Sequence, residues 1–258
     1  MSVLARVGRA ALAFAEFIGS ASALLASAAG YLVRGRTNAR RTVAQMSAVG
    51  TDSLPIAVVT LIFAGMVLGL HTAREMVHFG GASLVGGMVA VSVARELAPT
   101  LTGIVVAARV GSAMAAELGS MRITEQVDAL RALAVSPVQY LVVPRLLACA
   151  VMLPVLTVFA DFAGACGAYV VAVAAGVTPS EYLRSARQFI DFTDFFGGLS
   201  KTVVFGVIIA IVGCQQGLAT RGGATGVGQA TTRSVVISIM LIYIANYLLS
   251  ALIFRVFG

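Results

Sequence analysis

At 258 residues, 59% hydrophobic and 11% charged, the chain falls outside the composition of ordinary soluble domains, in which about a quarter of residues are charged. Its net charge of +7 rests on 17 arginines and a single lysine, Lys201. Set between apolar runs, these read as membrane-topology signals rather than as a nucleic-acid surface.

The first 45 residues are ambiguous. Two arginines followed by AALAFAEF and LLASAAG imitate a secretory signal. Glu16 falls inside that apolar stretch, however, and Leu12–Val33 is rich in Ala, Ser and Gly rather than Leu. Leu4, Val7, Ala11, Phe14 and Ile18 recur at helical spacing, with Arg6, Arg9 and Glu16 elsewhere. That pattern favours an amphipathic helix lying in the cytoplasmic interface; a sixth span and a cleaved signal are the alternatives.

Five apolar runs follow, each of about the ~20 residues a bilayer requires or longer. Ser53–Ala73, Thr202–Thr220 and Ser234–Phe254 carry no Asp, Glu, Lys or Arg. Leu84–Ala108 is interrupted only by Arg95 and Glu96 among such charges before its end, and Leu146–Ser180 only by Asp161. At 35 residues the latter predicts a tilted helix extending beyond the membrane. Arg6, Arg9, Arg34, Arg36, Arg40 and Arg41 precede the first run. Arg122, Arg131 and Arg145 lie between the second and third, and Arg221 and Arg233 between the fourth and fifth. The intervening segments balance Arg74, Arg184 and Arg187 with Glu75, Glu181, Asp191 and Asp194. The alternation places the N-terminus in the cytoplasm and the C-terminus outside. One all-α domain is expected over residues 1–258, with an interfacial region at 1–45 and a transmembrane bundle at 46–258.

The segment Ala116–Pro137, AELGSMRITEQVDALRALAVSP, is a charged island between spans. Ile123, Val127, Leu130 and Ala134 form a helical stripe, with Arg122, Glu125, Gln126 and Asp128 towards the other side. Arg122/Glu125 and Asp128/Arg131 are spaced for intrahelical pairs, and Pro137 is expected to stop the helix. A polar helix returned to water suits docking onto a soluble partner; a solvated loop helix without one is the plainer alternative.

Arg95 and Glu96 are costly inside a span, about 2.5–3.5 kcal/mol each on insertion scales, unless paired or facing a cavity. As i and i+1 neighbours they do not face each other, so each needs another partner: Lys201, or a lipid headgroup. Pro99 is placed to kink the helix. Arg109 and Glu117 read as anchors at the cytoplasmic end of the second span. Asp161 reads as a buried carboxyl hydrogen-bonded to a neighbouring helix, with a proton-relay role as the alternative. Gly65 and Gly69 allow close helix approach, as at a dimer seam. Arg221–Gly223 and Gly226–Gly228 read as a flexible turn. Cys149, Cys166 and Cys214 read as small buried hydrophobes without metal or disulfide roles, and His71 and His78 as outer-loop residues.

Enzyme signatures are missing. Lys201 follows Ser200 rather than the glycine of a Walker A loop, no HExxH occurs, and Gly111–Ser112–Ala113 has no histidine to activate its serine.

The stretch VARELAPTLTGIVVAARVGSAMAAELGSMRITEQVDALRALAVSP, Val93–Pro137, resembles the signature of the MlaE/YrbE permeases, the membrane subunits of Mla/Mce-type ABC lipid transporters. GMVLGL at Gly65–Leu70, KTVVFG at Lys201–Gly206 and ATTRSVV at Ala230–Val236 are similar to further family blocks in the same order. The resemblance implies five transmembrane helices after an interfacial helix, and an inner-membrane permease paired with a second copy as a homodimer. It further implies a cytoplasmic ABC ATPase that binds ATP and Mg, so that this chain holds no cofactor, and a periplasmic MCE-domain lipid-binding protein. Arg122, Glu125, Gln126, Asp128 and Arg131 would then form the ATPase-coupling helix, and Arg95, Glu96, Lys201 and Phe79 the rim of a lipid cavity. No nucleic acid is implied. An autonomous ion-coupled transporter using Asp161 and Glu96 is the competing function, and a non-transporting scaffold a third; five spans without an inverted repeat argue against the ion-coupled one.

Overall fold

The computed structural model describes residues 3–35 and 37–257, all described elements of which are helical. Arg36 lies outside the described residues, as do the side chains of Leu4, Arg6, Val7, Arg9, Ala11 and Phe14. The elements are α1 Val3–Val33, α2 Ala39–Gly50, α3 Leu54–His78, a 3₁₀ turn Ala82–Leu84, α4 Val85–Ser92, a π turn Val93–Leu97 and α5 Ala98–Val106. A second π turn, Ala107–Gly111, leads into α6 Ser112–Ile123 and α7 Gln126–Ala132. A third, Val138–Val142, opens α8 Val143–Ala174, followed by α9 Pro179–Phe189, α10 Phe192–Leu218 and α11 Gly223–Phe257.

By length and composition six helical stretches among the described residues can cross a membrane: Ala15–Val33, Ala39–His78, Ala82–Ile123, Val138–Ala174, Phe192–Leu218 and Gly223–Ile253. Five correspond to the apolar runs. The first is the C-terminal part of α1. Its Ala21, Leu24, Ala28, Tyr31 and Leu32 pack on the core, and Gln215 of α10 donates to Ser20 at 2.9 Å.

The runs read from sequence stop short of the helices. Charges hid the first turns of α10 and α11: α10 starts at Phe192 behind an Asp191/Asp194 capping box, and α11 at Gly223. Gly226 and Gly228 are therefore helical rather than part of a turn, and only residues 219–222 link α10 to α11. His71 and His78 ride on the last turns of α3, not in a loop. The 35-residue third run ends as a helix at Ala174, because Gly176 adopts φ +102° and receives the chain into a Schellman closure, Val177 N–H donating to Ala172 O at 3.1 Å. Thr178 then caps α9 by accepting from Glu181 N–H, with Pro179 at the first helical position.

Close packing is made by glycine. A methyl group built on Gly65 would overlap the backbone of Gly164, and one on Gly69 would press on Ala168 at 2.8 Å. The Gly65/Gly69 pair thus seats α3 on α8 within the same chain rather than serving a dimer seam. Leu61, Val85, Val89, Val93, Ala160 and Ala168 fill the core on that side. A second cluster, including Leu118, Leu153, Leu156, Phe205 and Ile209, fills the half nearer α6 and α7. Cys149 and Cys214 are buried there, whereas Cys166 is exposed on α8.

Candidate functional site

Two features concentrate the polar chemistry: a charged network inside the bundle and an exposed helical corner at one end.

The network starts from a proline. Pro99 has no N–H to return to the carbonyl four residues back, which belongs to Arg95. The helix opens into the π turn Val93–Leu97, Ala98 N–H reaching back to Val93 O. Lys201 Nζ, on α10, donates to the freed Arg95 carbonyl at 2.9 Å. The same ammonium meets Glu96 Oε1 at 2.7 Å and Ser250 Oγ at 2.7 Å. Ser250 Oγ also lies 2.7 Å from Glu96 Oε1, and Asn246 Nδ2 donates to Glu96 Oε2 at 2.8 Å. Arg95 turns the other way, its Nε pairing with Asp194, whose second oxygen accepts from Asp191 N–H at 3.1 Å. The two adjacent charges therefore have separate partners, as their helical positions require.

At 1.5 Å per residue, Lys201 lies about 14 Å along α10 from Phe192, roughly a third of the way through a helix long enough to cross the ~30 Å hydrocarbon core. The Lys201 side chain is 3% exposed, and that of Asp194 2%, while those of Glu96 and Arg95 are 43% and 37% exposed. The network thus has one buried cation, Lys201, and one buried carboxylate, Asp194, behind and a partly open Arg95/Glu96 face in front. Such a face suits an ionic or zwitterionic headgroup. Phe79 is not part of it: it caps the far end of α3, 74% exposed, edge-on to His78 at 5.5 Å. Asp194, Asn246 and Ser250 were not singled out as site residues from sequence. The i, i+4 spacing of Asn246 and Ser250 in an otherwise apolar span is the signal that finds them.

The charged island is two helices, not one. α6 ends at Ile123 and Glu125 takes φ +62°, so that α7 leaves in a new direction. Arg122 does not pair with Glu125; its Nη1 instead reaches across the break to both oxygens of Asp128, each at 2.7 Å. Arg131 adds a contact to Asp128 at 3.0 Å, the expected i, i+3 pair. Gln126 Nε2 donates to Thr124 Oγ1 at 3.0 Å across the same corner. Of the apolar stripe, Val127 is buried, Leu130 is half-buried and Ile123 and Ala134 are exposed. α7 is stopped by Ala134 at φ +57°, where Val135 N–H closes on Leu130 O at 2.9 Å and Ala134 N–H on Arg131 O at 3.0 Å. That closure normally takes glycine, and alanine in it costs on the order of 1–2 kcal/mol. Pro137 starts the next helix instead of stopping the last, with Ser136 preceding it.

The corner is held rigidly to the bundle. Glu117 of α6 pairs with Arg145 of α8 at 2.7 Å, and Arg145, 4% exposed, also donates to Leu141 O at 2.8 Å. Arg145 is thus a buried strut, not a loop charge. Arg109 fastens the α2–α3 joint through Asp52 at 3.0 Å and Ala48 O at 3.1 Å. Arg41 of α2 stacks over Tyr140, 3.2 Å from its ring centre. Arg109 and Glu117 are the anchors their positions suggested. Asp161 departs from expectation: it is 9% exposed and its Oδ1 has no hydrogen-bond partner among the described residues.

Residues 42–252 match the family model described as permease MlaE. A probable ABC transporter permease protein of Synechocystis sp. is 48% identical over 226 residues, covering 87% of this chain and 86% of that one. A probable ABC transporter permease protein of Rickettsia felis is 38% identical over 257 residues, 99% of each chain. The chloroplastic protein TRIGALACTOSYLDIACYLGLYCEROL 1 of Arabidopsis thaliana is 37% identical over 225 residues, 87% of this chain and 64% of that one.

Proposed function

The chain belongs to the MlaE permease family and is a multi-pass ABC transporter permease subunit, and from that premise we propose that its cargo is phospholipid or a related lipid. The lipid passes between the bacterial inner membrane and a periplasmic MCE-domain carrier, in the service of outer-membrane lipid balance. The N-terminus lies in the cytoplasm and the C-terminus in the periplasm, two copies of the chain form the pathway, and a cytoplasmic ATPase supplies ATP hydrolysis.

The observation that carries the reading is the charged network inside the bundle, in which an open Arg95/Glu96 face is backed by Lys201, Asn246, Ser250 and Asp194. A charged face that deep is stabilised by a ligand that brings both charge and chain. The plant relative is named after a diacylglycerol glycolipid, which is in keeping with a lipid cargo.

The mechanism follows from the corner. Closure of two ATPase subunits on ATP displaces a docked α6–α7 corner. The Arg122–Asp128 clamp makes it move as one piece, and the Glu117–Arg145 strut passes the motion to α8. Glu125 and Asp128 supply the polar contacts to the ATPase, with Gln126 and Arg131 beside them. The chain's own residues contribute binding, orientation and transmission of force, not bond chemistry.

A tagged chain purified in gentle detergent from its native membranes tests this. Stoichiometric recovery of an ABC ATPase and an MCE-domain protein is expected, together with ATPase activity that phospholipid stimulates. A chain that purifies alone from membranes containing such an ATPase overturns the assignment.

A further inference from the structure

An apolar cavity lies beside the π turn Val93–Leu97. It has a volume of about 750 Å³ and runs between α3, α4, α8 and the start of α10. Val58, Ile62, Val93, Phe159, Phe162 and Phe195 make most of its wall. Its volume is on the scale of a ligand site. Asp161 is the only charged residue of the lining.

Asp161 is more than nine-tenths buried; among the described residues its Oδ1 has no hydrogen bond and is sealed from the cavity, so only the remaining edge of the carboxyl meets the lining. Thirteen residues before the end of α8 at Ala174, it sits about 20 Å along the helix, deep in the hydrocarbon zone. A carboxyl group left there without a partner is destabilising, whether charged or protonated. The cavity wall therefore calls for a ligand that is apolar over most of its length and brings one hydrogen-bonding group to Asp161.

The lining narrows that group. Among the described residues no arginine or lysine lines the cavity, so a phosphate would meet no cation there and would sit against aromatic side chains beside a carboxyl. An ammonium from a zwitterionic lipid would carry its phosphate in with it. A hydroxyl donates to a carboxylate and accepts from a carboxylic acid, so it satisfies Asp161 in either state. We infer that this cavity is a side pocket for a neutral lipid alcohol, diacylglycerol being the simplest example, with Asp161 as the residue that selects its hydroxyl. The inference rests on the lipid reading for its physiological sense, but the pocket is separate from the Arg95/Glu96 face.

The test places the purified transporter in phosphatidylcholine nanodiscs with a photoreactive diacylglycerol, and labelled peptides are mapped by mass spectrometry. Labelling within residues 158–165 is expected, competed by unlabelled dioleoylglycerol and not by added phosphatidylcholine. Asp161→Leu is expected to weaken that competition about tenfold, the worth of one buried hydrogen bond. Asp161→Asn, whose amide still donates and accepts, retains most of it, and Ala165→Phe fills the cavity and abolishes labelling. Because leucine removes an unpaired buried polar group, Asp161→Leu is expected to fold at least as well as the parent, which a melting curve checks. Equal labelling by a photoreactive phosphatidylcholine, or competition indifferent to Asp161→Leu, reduces the site to ordinary acyl-chain contact and overturns the inference. Crosslinking of these residues to a partner subunit's helix in place of lipid overturns it as well. Phospholipid transfer measured on the same preparation keeps the two readings apart. Labelling without transfer sinks the transport reading alone, and transfer without labelling sinks the pocket alone.

Discussion

Replacing Lys201 by methionine removes the residue on which the charged network converges. Methionine keeps the volume and the apolar stem, so the loss is electrostatic. Glu96 retains Asn246 Nδ2 and Ser250 Oγ as neutral donors, and the Arg95 carbonyl that Pro99 leaves open loses the Lys201 ammonium that donates to it. Breaking a fully buried ion pair from one side costs about 3–5 kcal/mol. The Glu96 side chain is 43% exposed, so solvent takes up part of this, and about 2 kcal/mol is the expected destabilisation. For a chain of this size that corresponds to a melting temperature lower by roughly 4–8 °C. A double-mutant cycle with Glu96→Gln isolates the pair: Glu96→Gln/Lys201→Met should recover about 1–2 kcal/mol relative to the sum of the single changes. Thermal unfolding in detergent, read by tyrosine fluorescence or by loss of monodisperse protein, measures all four variants. Single changes that add within about 0.5 kcal/mol would refute a direct Glu96–Lys201 interaction and with it the network as drawn.

Other outcomes follow from the same geometry. Gly65→Leu should cost at least ~1–3 kcal/mol by forcing α3 off Gly164, visible as a lower melting temperature or loss of monodisperse protein, whereas Gly69→Ala should be milder. Asp128→Asn should leave stability within about 0.5 kcal/mol, because both its pairs are exposed, while ATPase coupling in the assembled transporter falls sharply. Unchanged coupling would mean the clamp is ornamental to docking. Glu117→Gln leaves the buried Arg145 guanidinium with a single neutral strut partner besides Leu141 O, and a loss of about 1–2 kcal/mol is expected on chemical or thermal unfolding, the exposure of Glu117 moderating the effect. On α9, burial, with a smaller contribution from Cys166, pushes the Tyr182 phenol up to about 12 from its ordinary 10. The folded pKa lies above the unfolded one, so this contribution to stability is complete below pH 10 and is lost as pH rises towards 12. Tyr182→Phe should remove that alkaline loss from a stability–pH profile.

The chain sequence settled the class and the order of the elements, because a bilayer imposes a length and a polarity that composition alone displays. Five apolar runs, arginine-rich gaps between alternate pairs and a charged island at Ala116–Pro137 are local properties, readable without knowing what packs on what. So was the need of Arg95 and Glu96 for separate partners, since adjacent helical residues point apart. Lys201 was also findable as the only lysine, lying in a later span.

Partnership over long separations belonged to the tertiary structure. Asp194 is 99 residues from Arg95, and Ser250 is 154 from Glu96; no local pattern ties them. The break at Glu125 was hidden because its left-handed φ follows from how α6 and α7 must turn over the bundle, not from a glycine that sequence would flag. Gly65 and Gly69 announced a close approach, but only packing identified Gly164 and Ala168 as what approaches. Asp161 shows the same division. Its burial could be inferred from the run around it, whereas its lack of a partner depends on which side chains three other helices turn towards it. Sequence fixes what each segment must avoid, water or hydrocarbon; only the assembled bundle decides which groups meet, because those meetings are set by helix rotation and tilt that packing alone determines.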